Sequence, residues 1–272
     1  IVKMLVMRNY FGFLFILLLF SCKAEQKTSD SSPSSGITAD GKLWSSLFQQ
    51  KAAEYNALCY QAYNIARQRI DEATVKNSNK QLTVITDIDE TVLDNSPYAV
   101  HRALQGKDYD AATWNDWTTK ATAIPLPGSL DFFNYAASKG VTVFYITNRD
   151  EKERAATLTN LKKYNYPFSN NEHLILRQTT SSKETRRQAV AEKYEIVLLI
   201  GDNLSDFSTL WDKKTTDERN KNVNDNAGLF GKKFIMLPNT NYGGWEDAIY
   251  GNKYNLTPAQ KDSAIKANLK GY

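Results

Sequence analysis

Short apolar runs that each end in polar residues restrict this chain to few folds. They are Leu82-Thr83-Val84-Ile85-Thr86, Val141-Thr142-Val143-Phe144-Tyr145-Ile146, Ile196-Val197-Leu198-Leu199-Ile200 and Phe234-Ile235-Met236-Leu237, with a shorter run over His173–Leu176. β-Branched and aromatic residues dominate them, and apolar and polar positions do not alternate strictly. That is the pattern of strands covered on both faces. Helical spacing lies between them. Gly128 opens a helix with Leu130, Phe133, Ala136 and Ala137 that closes at Gly140, and further helices are expected over Glu151–Tyr164 and Lys183–Tyr194. The alternation predicts an α/β fold, a Rossmann-like parallel sheet with helices on both faces.

Two segments fall outside the alternation. From about Gly41 to Glu72, Trp44, Leu47, Phe48, Ala52, Tyr55, Leu58, Cys59, Ala62 and Ile65 recur at helical spacing, which predicts one or two helices docked on the domain. Cys59 is expected there as a buried, inert thiol. Residues 96–127 carry His101, Trp114, Trp117 and three prolines between the first strand and the next helix, with little helical signal.

In open α/β sheets, ligands bind beyond the carboxyl ends of the strands. The first strand ends there in Asp87-Ile88-Asp89-Glu90-Thr91. Two carboxylates two residues apart can divide nucleophilic and proton-transfer roles, although an acidic turn would also account for this stretch alone. The fourth strand delivers Gly201-Asp202-Asn203-Leu204-Ser205-Asp206-Phe207 to the same edge. Each close pair of like charges costs about 4 kcal/mol at intermediate dielectric. A divalent cation with hard oxygen ligands, such as Mg²⁺, relieves that repulsion. Thr147 and Asn148 offer neutral donors for phosphate oxygens. Lys183 stands at a predicted helix start, where its charge opposes the helix dipole and implies an anionic partner.

Asp87-Ile88-Asp89-Glu90-Thr91-Val92-Leu93-Asp94 resembles the first motif of the haloacid dehalogenase (HAD) superfamily, and Asn95-Ser96-Pro97-Tyr98 extends the likeness to the class C acid phosphatases, bacterial lipoprotein nucleotidases. Thr147-Asn148-Arg149, Lys183, Gly201–Phe207 and Ile235–Glu246 continue it in order. The resemblance implies a HAD-like fold with a cap over about 96–127 and an acid phosphatase of the lipoprotein 5′-nucleotidase branch, acting on nucleoside monophosphates or other small phosphomonoesters. It further implies Asp87 as nucleophile through an aspartyl-phosphate, and Asp89 as proton donor and then base for water. Lys183, Thr147 and Asn148 would stabilise the transferring phosphoryl group. Mg²⁺ would be held by Asp87, Asp202, the Asp89 carbonyl and Asp206 through water. Trp114 and Tyr242 would sandwich the base, with Trp117 in packing and Arg149 without an assigned role. A broad phosphatase or phosphotransferase, and an inactive lipid-anchored binding protein, are the alternatives.

The first 22 residues read as a lipoprotein signal peptide. Lys3 and Arg8 precede the apolar run Phe11–Phe20, and Leu19-Phe20-Ser21-Cys22 looks like a lipobox, although Phe20 is bulkier than usual there. Met4 and Met7 both fit the start of such a leader, and a plain secretory signal cleaved near Ala24 is the alternative. Cys22 is the expected lipidation site, residues 23–40 a polar, serine-rich tether, and residues 41–272 the catalytic domain. The expected location is the bacterial cell envelope, lipid-anchored at the outer membrane and periplasm or at the cell surface, with the leaflet left open. The chain has 34 basic and 30 acidic residues, an excess of four that falls by two once Lys3 and Arg8 are removed. This balance gives no reason to expect nucleic acid as a partner. The oligomeric state is left open, with a homodimer among the candidates.

Overall fold

The parallel sheet forms as expected, and its strand order brings the polar loops together. The computed structural model describes residues 36–76 and 78–272. Its strands are β1 (Gln81–Thr86), β2 (Leu93–Asp94), β3 (Ile124–Pro125), β4 (Thr142–Asp150), β5 (Leu174–Arg177), β6 (Tyr194–Gly201) and β7 (Phe234–Met236). Five of them make one sheet in the order β5-β4-β1-β6-β7, all parallel. The chain builds outward from β1 to one side, then returns to add β6 and β7 on the other. The carboxyl end of β1 is therefore a topological switch point, where such sheets bind ligands.

Alternation of side chains across the pleat divides the core into two layers. Val84, Val143, Tyr145, Leu198 and Ile200 face one layer, with Tyr55, Cys59, Tyr63, Phe132 and Phe133. Ile85, Phe144, Ile146 and Leu199 face the other, with Val190, Phe207, Trp211 and Phe234. The helices that cover the sheet are α1 (Ile37–Lys51), α2 (Ala53–Thr74), α3 (Ser96–Ala103), α4 (Ala111–Thr119), α5 (Ser129–Ser138), α6 (Arg154–Lys163), α7 (Glu184–Lys193), α8 (Thr216–Asp225), α9 (Gly244–Ile249) and α10 (Pro258–Asn268). Cys59 is fully buried, and burial pushes its thiol up to about 12, as expected of an inert cysteine.

The segment expected to form a cap is a short insertion. β2 and β3 pair antiparallel as its stem, with Leu93 opposite Pro125 and Asp94 opposite Ile124, and α3 and α4 form its body. Asp110 caps α4 by accepting from the Ala112 and Thr113 amides. Thr118 then ties that helix to the sheet side through a 2.7 Å hydrogen bond to Glu153.

Three boundaries differ from expectation. The tether does not extend to residue 40, because Ile37 already begins α1, with Ala39 buried and Asp40 in the first turn, where its charge suits the dipole. The strand expected to end at Ile146 runs on to Asp150, so Thr147, Asn148 and Arg149 belong to β4. The helix expected over 151–164 starts as a 3₁₀ turn, Glu151–Glu153, because Asp150 and Glu153 form a capping box there. The expected leader, Cys22 and the tether before Gly36 lie outside the described residues. Among those described, no helix is long and apolar enough to cross a membrane.

β6 ends in a glycine for a steric reason. A Cβ on Gly201 would overlap the side chain of Asp206, which folds back under the strand end and accepts from the Asn203 amide at 2.9 Å. Gly201→Ala is expected to destabilise the protein by about 1–3 kcal/mol in a denaturant titration. An unchanged midpoint would show that the loop gives way without cost.

Candidate active site

Three carboxylates from two strand ends meet around one ammonium group. Asp87 leaves β1, Asp202 leaves β6, and Asp206 returns from the turn after it, so that one oxygen of each lies within 4.8 Å of the others. β1 and β6 are direct neighbours with Thr86 opposite Ile200, and the Asp87 amide donates to the Ile200 carbonyl at 2.9 Å, which fixes the two acidic loops side by side. Lys183, the residue before α7, places Nζ 2.7 Å from Asp87 Oδ1 and 2.6 Å from Asp206 Oδ1. Its position at the helix start, unfavourable for the dipole, is explained by these anions.

One ammonium does not balance three carboxylates. Burial pushes the Asp87 carboxyl up to about 7 despite the pull of Lys183, and Asp206 and Asp89 add to the rise. Burial also raises Asp202 well above the ordinary range, again with Asp206 and Asp87 contributing. Lys183 responds oppositely: burial disfavours its charge, yet the Asp206 and Asp87 carboxylates raise it. Asp87 Oδ1 is buried and receives no well-directed hydrogen bond, although the ammonium is near. With all three acids ionised, the cluster with Lys183 carries two uncompensated negative charges. A divalent cation supplies the missing charge, and an all-oxygen donor set suits a hard one. The remaining contacts of Asp202 come from neutral donors, Thr91 Oγ1 at 3.1 Å and Asn239 Nδ2 at 2.8 Å, which leave its charge intact.

Asp89 is held apart from this cluster. Arg149, its side chain only 1% exposed, reaches Oδ1 through Nη2 at 2.7 Å and Nε at 3.0 Å. Asn95 Nδ2 donates to the same oxygen at 2.9 Å, and Thr147 Oγ1 lies 3.4 Å from Oδ2. Thr147 is fully buried, so its hydroxyl orients Asp89. Asn148, by contrast, is exposed at the cavity, and Arg186 donates to its Oδ1 at 2.7 Å. A guanidinium can only donate, so the oxygen faces Arg186 and the Nδ2 end is the donor available to a ligand.

These groups form the floor of a cavity of about 870 Å³, walled by the cap, the 241–243 loop and the carboxyl-terminal segment. Asp87, Asp89, Asn148, Lys183, Asp202, Asp206, Trp114 and Tyr242 all line it. Trp114 is half-buried and packs edge-on against Tyr98, with ring centroids 5.1 Å apart. Trp117 instead packs against the core, as expected of it, and also donates its indole N–H to Asn95 Oδ1 at 2.8 Å.

Other residues of the site had no recognised signal in the sequence. Arg149, near the end of β4, is the partner of Asp89, a role that neither the apolar run before it nor the family motif assigned. The Asn95 side chain reaches back to Asp89 only through the turn into α3. The helix α1, expected only to dock, grips the cavity wall: Gln49 donates to Asp94 at 2.7 Å, Asn241 donates to Gln49 at 3.1 Å, and Lys42 pairs with Asp108 at 2.8 Å.

Comparison with known proteins follows the same outline. The family described as HAD superfamily, subfamily IIIB (acid phosphatase), matches residues 37–245. The class C acid phosphatase from Bacillus anthracis is similar in structure, with a TM-score of 0.83 and 42% identity over 86% of this chain and 99% of that one. A second structure of it, with tungstate bound, gives 0.82 and 41% over 87% and 99%. Acid phosphatase 1 of Solanum lycopersicum is 34% identical over 131 residues, 45% of this chain and 51% of that protein. A 28 kDa stem glycoprotein of Glycine max is 32% identical over 134 residues, 46% and 52% respectively. The chain spans about half the length of these curated plant relatives. The family match runs from the first turn of α1 through both acidic loops and the Tyr242 loop, so the chain belongs to the subfamily IIIB acid phosphatases of the HAD superfamily.

Proposed function

We propose that this chain is a Mg²⁺-dependent phosphomonoesterase that hydrolyses nucleoside monophosphates through an aspartyl-phosphate on Asp87. The observation that carries this reading is the buried Asp87–Asp202–Asp206 cluster around Lys183 on the cavity floor. Asp87, Asp202, Asp206 and the Asp89 carbonyl would hold the metal, which when bound neutralises the acids and polarises the phosphoryl group. The tungstate-bound Bacillus anthracis relative supports the reading, since tungstate is a tetrahedral oxyanion like phosphate.

An oxygen of Asp87 attacks phosphorus while the bond to the leaving oxygen breaks, and Asp89 gives that oxygen its proton. Asp89, now a carboxylate, takes a proton from water as the water oxygen attacks phosphorus. The Asp87–phosphorus bond then breaks and releases inorganic phosphate. Lys183 and the Asn148 amide stabilise charge on the phosphoryl oxygens. Arg149, Asn95 and Thr147 hold the carboxyl of Asp89 in one orientation between its two uses. Trp114 and Tyr242 would flank the base, and Cys22 would anchor the protein in the cell envelope by lipid.

Asp87→Asn and Asp89→Asn should each lower kcat by roughly 10³-fold or more with an unchanged circular dichroism spectrum. A folded Asp87→Asn protein with near-normal turnover sinks the mechanism.

Stacking on one aromatic ring contributes roughly 1–3 kcal/mol in single-stranded nucleic-acid binding. On that scale, Trp114→Ala should reduce kcat/KM for nucleoside monophosphates by about 5- to 100-fold, and for a small alkyl phosphate much less. Equal losses on both substrates would count against the nucleotide assignment and leave phosphatase activity standing.

A further inference from the structure

Glu90 is the one acid of the 87–90 stretch that the proposed reaction does not use, and its surroundings are unusual. It is 1% exposed, and its backbone lies in the left-handed region, at φ 54°. Residues with a Cβ rarely adopt that conformation, so the surrounding contacts must over-determine it. Its amide donates to the Leu93 carbonyl at 2.9 Å. Its carboxylate then uses both oxygens: Oε1 accepts from the Asn95 amide at 2.8 Å, and Oε2 accepts from the hydroxyl of Tyr242.

The second contact joins loops 152 residues apart in the chain. The backbone of the Tyr242 loop has its own supports. Asn239 Oδ1 accepts from the amides of Asn241 at 2.8 Å and Tyr242 at 3.4 Å, and the indole of Trp245 donates to the Tyr242 carbonyl at 3.2 Å. Those bonds set where the loop lies. The hydroxyl contact sets the far end of the ring, and with it the plane that the tyrosine presents to the cavity. From Glu90 the connection continues through Asn95 to Asp89, and Asn95 is fixed in turn by Trp117 of the cap.

We infer that Glu90 is a positioning residue for substrate recognition: through its left-handed turn and the Tyr242 hydroxyl it holds the aromatic wall at a fixed distance from Asp87 and Asp89. A base against that wall then places the phosphate over the nucleophile. This rests on the reading of Tyr242 as one wall of a nucleotide site.

The test compares kcat and KM for a nucleoside monophosphate and a small alkyl phosphate in wild type, Tyr242→Phe, Glu90→Gln and the double variant. Tyr242→Phe keeps the ring and removes only the hydroxyl. It should raise KM for the nucleotide by about three- to tenfold relative to the alkyl phosphate, with a smaller change in kcat. Glu90→Gln keeps one oxygen that can accept from the Tyr242 hydroxyl, so it should shift the same ratio less. In the Tyr242→Phe background, Glu90→Gln should shift the ratio no further, because the shared contact is already gone. A nucleotide preference that survives Tyr242→Phe overturns this inference alone, as do independent, additive losses in the double variant. A wild-type enzyme indifferent to the base overturns both this inference and the nucleotidase reading.

Discussion

The site depends on an imbalance of charge. Asp87, Asp202 and Asp206 converge on Lys183, the one cation that forms an ion pair with them among the described residues, since the buried Arg187 pairs with Glu184 and touches Asp206 only at its carbonyl. Repulsion of about 4 kcal/mol per close pair at intermediate dielectric works against such an arrangement. Two features of the fold enforce it. β1 and β6 are hydrogen-bonded neighbours, so their acidic ends cannot separate, and Gly201 leaves the space into which Asp206 folds. An arrangement held against its own charge is a resting state prepared for a cation and for a phosphoryl group.

The two carboxylates of the first loop are treated differently by their surroundings. Asp87 shares its cation with Asp206 and has a buried oxygen without a directed hydrogen bond. Asp89 is clamped by a buried guanidinium, an amide and a hydroxyl. A nucleophile needs a lone pair not committed to a directed hydrogen bond, whereas a group that gives and later takes a proton needs a fixed direction. The contacts match that division. Around them, the cap and α1 meet the same loops, so that Gln49, Asp94 and Asn241 connect three segments far apart in sequence.

The sheet and the acids were legible in the sequence because both depend on local pattern. Strands buried on two faces appear as apolar runs, and Asp87, Asp202 and Thr147 sit at or just beyond their ends. Lys183 was legible through its conflict with the helix dipole. The positioning contacts were not. Arg149 to Asp89 spans 60 residues and Tyr242 to Glu90 spans 152, and neither leaves a periodicity. The left-handed turn at Glu90 was hidden for another reason: a glutamate does not announce a conformation that glycine would. The same holds for the start of α1 at Ile37, where a serine-rich stretch gives way to helix because Ala39 finds a buried position.

The central claim is that the Asp87–Asp202–Asp206 cluster is a divalent metal centre. Calorimetric titration of Mg²⁺ into chelator-treated protein tests it most directly, with Asp202→Asn as the comparison. The account predicts one binding site per chain in the wild type and loss of that binding in the folded variant. Absence of binding by a wild-type protein that still turns over substrate in chelator would contradict it.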